Sequence, residues 1–473
     1  MKLFPLQSEK GFTLLELVVV MGVFMFVLII SSSAFENVIR LSSSTTKSVQ
    51  SQTEGVVGLE MLRKDLNSAG FALPWAFQTN PPSASSYLEA DLGANNPITG
   101  INGADFNDAP PNTGTATPAP AIPRAVQLAS VPAAQLPILG SGGAVNSNPG
   151  SDYLVIKSAS VGYASAVGKW GYVNYSGNQT GNLSYIPKWN SLTVNADFQD
   201  GDVLVTHTST FSGLSKVQHM LAMRDAQHFS YALLNNSSTS AGFSSVDAAG
   251  HYVPEQTPFE NYKPTGSLLD PLGNKIDNEK LVVYGIQHFP KGSNETIRMP
   301  FNRADYFVKR PAIPPASQDT DQMPLPARCN PGTGKLYKAV VNNWVTAANA
   351  GKQTLYPLLD CVGDMQVVFD LKDANDPTKT VPSDTLAALS ADDIRDRLKA
   401  LHVYLLVHEG GLDRKYSYPY SDPKKVIILS DSDWSSLGRT FDVATMLAFF
   451  GPDWVHYRWK VVTIVGQPYN LMY

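Results

Sequence analysis

The chain has 473 residues, 43% of them hydrophobic and 10% aromatic, enough to bury one large core or two medium ones. A formal net charge of −5 offers no basic stripe of the kind a nucleic-acid binder carries, so no nucleic-acid partner is expected. Two cysteines are few for this length, and Cys329 and Cys361 have neither CxxC spacing nor a neighbouring histidine cluster to make a metal site.

The N-terminus reads MKLFPLQSEKG, then FTLLELVVVMGVFMFVLII. Between Phe12 and Ile30 the only ionisable side chain is Glu16. As a helix this run is about 28 Å long, close to the roughly 30 Å of a bilayer core. Lys2 and Lys10 precede it, which predicts a cytoplasmic leader and export of everything after Ile30. A secretory signal peptide, cut near Ser32-Ser33-Ala34, accounts for neither the length of the run nor its carboxylate. A plain membrane anchor gains nothing from a glutamate that costs about 3 kcal/mol in lipid.

A third reading accounts for both. Gly11-Phe12-Thr13-Leu14-Leu15-Glu16-Leu17 resembles the prepilin signature of type IV pilins and type II secretion pseudopilins. That resemblance implies a prepilin peptidase that cuts between Gly11 and Phe12 and methylates the new amine of Phe12. It also implies that Glu16 of an incoming subunit meets the N-terminal amine of its neighbour and sets register during assembly. The charges fit. Cleavage creates one positive charge four residues from the only negative charge of the run. Buried charges are tolerable when paired and costly when alone.

The helix is predicted to continue past Ile30, because no proline occurs between Pro5 and Pro74. Val38, Ile39, Val49, Val56, Leu59, Leu62 and Leu66 form an imperfect apolar stripe against which a globular domain can pack. Arg63 and Lys64 in the last turns, then Gly70 and Pro74, mark its end. Many major pilins bend this segment with a proline; Ser31-Ser32-Ser33 stands there instead.

Twelve prolines and eight glycines fall within residues 74–150, which predicts a loop-dominated surface excursion, with short strands near Val126 to Val131. From Asp152 the pattern turns to short strands at 152–157, 202–207, 217–223, 281–288, 305–309, 336–342, 365–371, 401–408 and 457–465, bounded by turn residues. One helix is predicted from Ser390 to Ala400, with Ser390 as its N-cap. The expectation is therefore α+β: a long N-terminal transmembrane and assembly helix followed by a large, mostly antiparallel, β-rich domain. The chain divides into a leader at 1–11, a transmembrane and pilin assembly helix at 12–73, a Pro/Gly-rich region at 74–150 and a β-rich exported domain at 151–473.

In an exported domain the oxidising compartment favours a disulfide between Cys329 and Cys361 over two buried free thiols. Closing that loop would stabilise the fold by about 3 to 4 kcal/mol. Signals of catalysis are weak. Asn330 to Lys335 (NPGTGK) lacks the first glycine and the final Ser or Thr of a phosphate loop and reads as a turn. No G-x-S-x-G elbow occurs, and His207, His219 and His228 are scattered without ligand spacing. Asp370, Asp373 and Asp376, like Asp431 and Asp433, lack EF-hand spacing and read as solvated turns. Trp170, Tyr172, Tyr175 and Trp189 could form an adhesive, sugar-binding face, and buried strand positions explain them equally well. Neither a catalytic centre nor a cofactor nor a metal is expected.

Four further segments carry a narrower resemblance: 329–342 (CNPGTGKLYKAVVN), 355–369 (LYPLLDCVGDMQVVF), 398–409 (LKALHVYLLVHE) and 457–461 (YRWKV). They look like the PilW family of minor pilins. The resemblance implies a subunit held in the inner membrane by its N-terminal helix, with the domain exported to the periplasm and later displayed on the pilus or cell surface. It implies prepilin peptidase, other minor pilins, the major pilin and a large tip adhesin as partners, and a role in priming or capping a type IV pilus. The alternatives are a minor pseudopilin of a type II secretion system and an adhesive module at the filament tip.

Overall fold

The chain's computed structural model describes residues 13–75, 87–92, 106–108, 122–130, 151–174, 202–212, 216–221, 231–233, 245–246, 252–253, 280–289, 297–309, 324–344, 349–431, 434 and 436–471. It divides into two units, Met1–Thr53 and Glu54–Tyr473. Helix α1 (Leu14–Asn67) begins in the first and ends in the second. Its end agrees with the stop signals: Lys64 lies in the last turn, and Gly70 follows with φ 78°. Ser31-Ser32-Ser33 is helical.

The strands follow in chain order. The first nine are β1 (Val126–Ser130), β2 (Asp152–Ser158), β3 (Trp170–Asn174), β4 (Asp202–Ser212), β5 (Lys216–Leu221), β6 (Tyr231–Leu233), β7 (Ser245–Val246), β8 (Tyr252–Val253) and β9 (Lys280–His288). Next come β10 (Asn302–Lys309), β11 (Gly334–Val341), β12 (Gln353–Lys372) and β13 (Thr380–Ser383). Helix α2 (Ala391–Arg397) leads into β14 (Leu398–Glu409), β15 (Ile427–Leu429) and β16 (Arg439–Phe441). Helix α3 (Val443–Phe450) and β17 (Arg458–Gly466) close the series.

The principal sheet runs β1-β2-β10-β11-β12-β14-β17, with β13 paired to β12. A second sheet runs β3-β9-β4-β5, with β6 on β4. Strand pairing in both is antiparallel throughout the described residues, so the α+β expectation holds.

Both faces of the principal sheet are covered. On one, Leu62, Leu66 and Ala69 from the end of α1 join Leu154, Ile156, Tyr306, Val367 and Leu405 in the largest apolar cluster. On the other, the β15–β16 hairpin and α3 pack Leu429, Met446 and Phe450 against Val368, Tyr404 and Trp459. Further along that sheet, Tyr153 stacks between Phe106 and Phe307 at 5.2 and 5.3 Å. Double coverage explains why all seven residues of β2 and all eight of β10 are buried.

The close seat of α1 on the sheet depends on glycine. A Cβ at Gly58 would stand 2.1 Å from the Leu358 carbonyl oxygen, so the helix can approach β12 only without one. Gly55 and Gly58 occupy the face toward β12, and Val56, expected on the packed stripe, is 58% exposed. Leu59, Leu62 and Leu66 do face the domain; the side chains of Val38, Ile39 and Val49 lie outside the described residues.

Two other expectations need adjustment. The helix read from Ser390 to Ala400 ends at Arg397, because Leu398 and Ala400 already pair with Leu371 and Asp370 of β12. Ser390 is its N-cap, in a reciprocal capping box with Asp393. Within 74–150, the strand expected near Val126 forms as β1, while the other described pieces, read as a surface excursion, contribute buried side chains. β1 pairs with β2, and Tyr87, Leu92 and Phe106 are buried.

Candidate functional site

At the start of α1 the backbone N–H of Thr13 donates to Glu16 Oε2 at 2.9 Å, and the Thr13 hydroxyl donates to the same oxygen at 3.0 Å. In return Glu16 N–H donates to Thr13 Oγ1 at 3.3 Å. This is a capping box, satisfying amides that a helix start leaves open. The T-x-x-E spacing of Thr13 and Glu16 is the sequence signal that encodes it. Gly11 and Phe12, the expected cleavage and methylation positions, lie outside the described residues.

From Leu14 to Ser32 the helix has a mean hydropathy of 2.8 over 19 residues, and none of it is buried. Phe26 is 69% exposed and Ile29 67%. A soluble monomer does not leave a patch of this extent in water. Length and composition both suit a bilayer core.

In the second unit the end of α1 is tied to the sheet by a polar latch. Asp65 pairs with Lys338 Nζ of β11 at 2.5 Å and accepts the Tyr306 hydroxyl of β10. Burial raises the Asp65 pKa and lowers that of Lys338, while their mutual attraction opposes both shifts.

Cys329 and Cys361 are disulfide-bonded, with Cα atoms 4.9 Å apart. Cys361 has φ 58° and lies beside a register shift between Val362 and Asp364. The structure adds a neighbour that the sequence did not reveal: buried His408 of β14, whose ring lies within 4.8 Å of both sulfurs. Its Nε2 accepts the Asn330 N–H at 2.8 Å, and the sulfurs are bonded to each other, so the trio has the donor set of a disulfide-side contact and not that of a metal site.

Burial, with Arg328 nearby, pushes the His408 pKa down to about 4. An unfolded histidine titrates near ~6.5, so folding stability is complete above that pH and is lost as pH falls towards 4. The expected loss is about 3 kcal/mol across that window. Urea unfolding of wild type and His408→Gln over a pH series measures it. Equal pH slopes for the two proteins would refute the assignment.

The remaining sequence candidates do not converge. NPGTGK is a turn: Thr333 N–H donates to Asn330 O at 2.9 Å and Gly332 N–H to Asn330 Oδ1 at 2.7 Å. His207 is buried edge-on to Tyr284; the side chain of His219, and all of His228, lie outside the described residues. Asp373 Oδ1 accepts the N–H groups of Asn375 and Asp376, and Asp376 Oδ1 accepts Thr378, as in ordinary polar turns. Asp431 accepts the Tyr404 hydroxyl at 2.9 Å, and Asp433 is outside the described residues. Trp170 is half-buried, and Tyr175, Trp189 and the Tyr172 side chain are not among the described groups.

Residues 6–32 match the family model described as the prokaryotic N-terminal methylation motif. No curated protein and no solved structure matches the chain. The motif match, with an exposed apolar helix beginning inside it, supports a membrane-anchored type IV pilin-like or pseudopilin protein that is a substrate of prepilin peptidase.

Proposed function

We propose that this chain is a PilW-like minor pilin that primes or caps a type IV pilus, in complex with other minor pilins. The observation that carries the reading is the N-terminal signature: an exposed apolar helix, inside the methylation motif, whose one carboxylate stands four residues from the amine that cleavage would create. The four segments that resemble PilW add support. They contribute the adjacent strands β11, β12, β14 and β17 and both disulfide cysteines. The role is structural and not enzymatic: the helix anchors and aligns, and the domain is carried outward on it.

Intact mass and N-terminal peptides of protein from membranes and sheared filaments test the processing step. A mature chain beginning at methylated Phe12 is expected. A chain beginning at Phe35 would support a signal peptide and end the pilin reading. Deletion of the gene separates the pilus role from the pseudopilin alternative: loss of pili with normal protein secretion is expected, and the reverse phenotype would favour type II secretion.

A further inference from the structure

We propose that an uncharged aromatic cleft in the second unit, framed by Tyr163, Tyr356 and Trp344, binds a neutral saccharide of one or two rings. The cleft measures about 340 Å³. Small-molecule sites run from about 300 to 1,000 Å³, so this one suits a ligand of one or two rings. It lies where the turn after β2, the end of β11 and the start of β12 meet β9 and β10.

Its walls are aromatic and fixed. The rings of Tyr163 and Tyr356 meet at 46° with centroids 4.1 Å apart, making a corner. Tyr163 is 42% exposed, so part of it is open to contact beside Lys338 and Tyr356. Lys338 Nζ sits 4.4 Å from the Tyr163 ring centroid and is itself paired with Asp65, which orients the ring without adding net charge. Trp344 is braced edge-on by Phe289 at 5.3 Å. Such faces pack against the C–H face of a sugar ring, an apolar surface bounded by hydroxyls.

The same lining holds amides with their roles already divided. Asn342 Nδ2 donates to Asn349 Oδ1 at 2.6 Å, which leaves the Asn342 oxygen as acceptor and the Asn349 amino group as donor. Both N–H groups of Asn302 are taken, by Ala159 O at 3.1 Å and Ile286 O at 2.9 Å, so its carbonyl oxygen is what it can offer. Vicinal hydroxyls both donate and accept, and a mixed set of amide donors and acceptors meets that need. A purely apolar ligand would bury these amides without partners, at a cost.

Among the described residues the lining contains neither a carboxylate nor a cation. Its titratable groups are the two tyrosines, and burial raises both phenols, so the cleft is neutral at physiological pH. An anionic or cationic ligand would lose hydration there and gain no counter-charge. This selects neutral sugars over sialic or uronic acids. The site is remote in sequence from the N-terminal signature, and its function requires neither cleavage nor assembly.

The test is saturation-transfer NMR on the full chain in micelles of a non-glycosidic detergent. The probes are methyl glycosides of glucose, galactose, N-acetylglucosamine and N-acetylgalactosamine, with lactose and chitobiose. Sialic acid and glucuronic acid serve as charged controls. At least one neutral sugar should show transfer to its ring C–H protons, with a Kd of about 1 mM or below. Tyr163→Ala should weaken it by about tenfold or more, and Tyr163→Phe, which keeps the ring, by much less. Asn349→Leu, at an exposed position, gives a second variant should Tyr163→Ala fail to fold. Absence of transfer to every neutral sugar at about 10 mM overturns the proposal. So does binding unchanged in the variants, or equal binding of the charged controls.

Discussion

Glu16→Val is expected to leave cleavage after Gly11 and membrane insertion intact while abolishing incorporation into filaments. Two readings of the residue predict opposite outcomes. As part of an anchor, the helix should improve with valine, since removing a carboxylate from lipid lowers the insertion cost by about 2 to 3 kcal/mol. As part of an assembly element it should fail, because the neighbour's buried amine loses its partner, at about 3 to 5 kcal/mol.

The capping box adds a third contribution, since Glu16 accepts the Thr13 N–H in its own chain. Losing a cap costs about 1 kcal/mol, too little to abolish assembly by itself. Glu16→Gln separates the cap from the charge, because glutamine also closes a capping box but carries no negative charge. The measurements are cleaved protein in membranes, co-purification with other minor pilins and pili per cell. Both variants should accumulate cleaved in the membrane with piliation reduced. Normal piliation with Glu16→Gln would reduce the residue to a cap; normal piliation with Glu16→Val would remove it from assembly altogether.

Local signals were legible and long-range ones were not. Alternating apolar runs located β2, β4, β9, β10, β11, β14 and β17 to within a few residues, and Ser390 marked the start of α2. β12 was seen only in its second half, 365–371, although it runs from Gln353 to Lys372. Its first half contains Pro357 and is half-exposed, so it lacks the periodic signal that burial on one face gives. Helix α3 reads VATMLAFF, apolar on all sides, and without a polar stripe only its Asp442 cap and Gly451 betray it. At the candidate site, the apolar run and its single carboxylate could be read directly, because both are consecutive in the chain. His408 beside the disulfide and the Asn302–Asn342–Tyr163 cleft could not, since strand order, not sequence order, brings those residues together.

The largest gap of this kind lies around Lys157, and replacing it should have the largest effect on stability. Lys157 ends the run 152–157 that reads as strand, yet its side chain is fully buried. Its Nζ donates to Phe106 O at 2.8 Å and Asp108 Oδ2 at 2.6 Å, and lies 2.7 Å from Glu89 Oε2. Arg124 also holds Asp108, at 2.7 Å, and Arg303 grips Asp305 through two hydrogen bonds of 2.8 and 2.9 Å. Burial works against the Asp108 carboxylate, but Lys157 and Arg124 more than offset it and hold its pKa below the ordinary value.

Three cations thus face three carboxylates, and the acids Glu89 and Asp108 come from the Pro/Gly-rich region. The cluster pins the described pieces at 87–92 and 106–108 to β2, which composition alone could not reveal. Lys157→Met keeps most of the volume but leaves Glu89 and Asp108 buried with too little positive charge. The expected loss is about 3 to 5 kcal/mol, more than one lost hydrogen bond would cost. Adding Glu89→Gln to Lys157→Met removes the uncompensated charge and should recover part of that loss. Denaturant unfolding of the full chain in micelles reads the energies, and hydrogen exchange at residues 87–92 and 106–108 shows whether those pieces loosen first. A loss under about 1 kcal/mol, with exchange there unchanged, would mean that apolar packing of Tyr87, Leu92 and Phe106 holds the region without the ionic cluster.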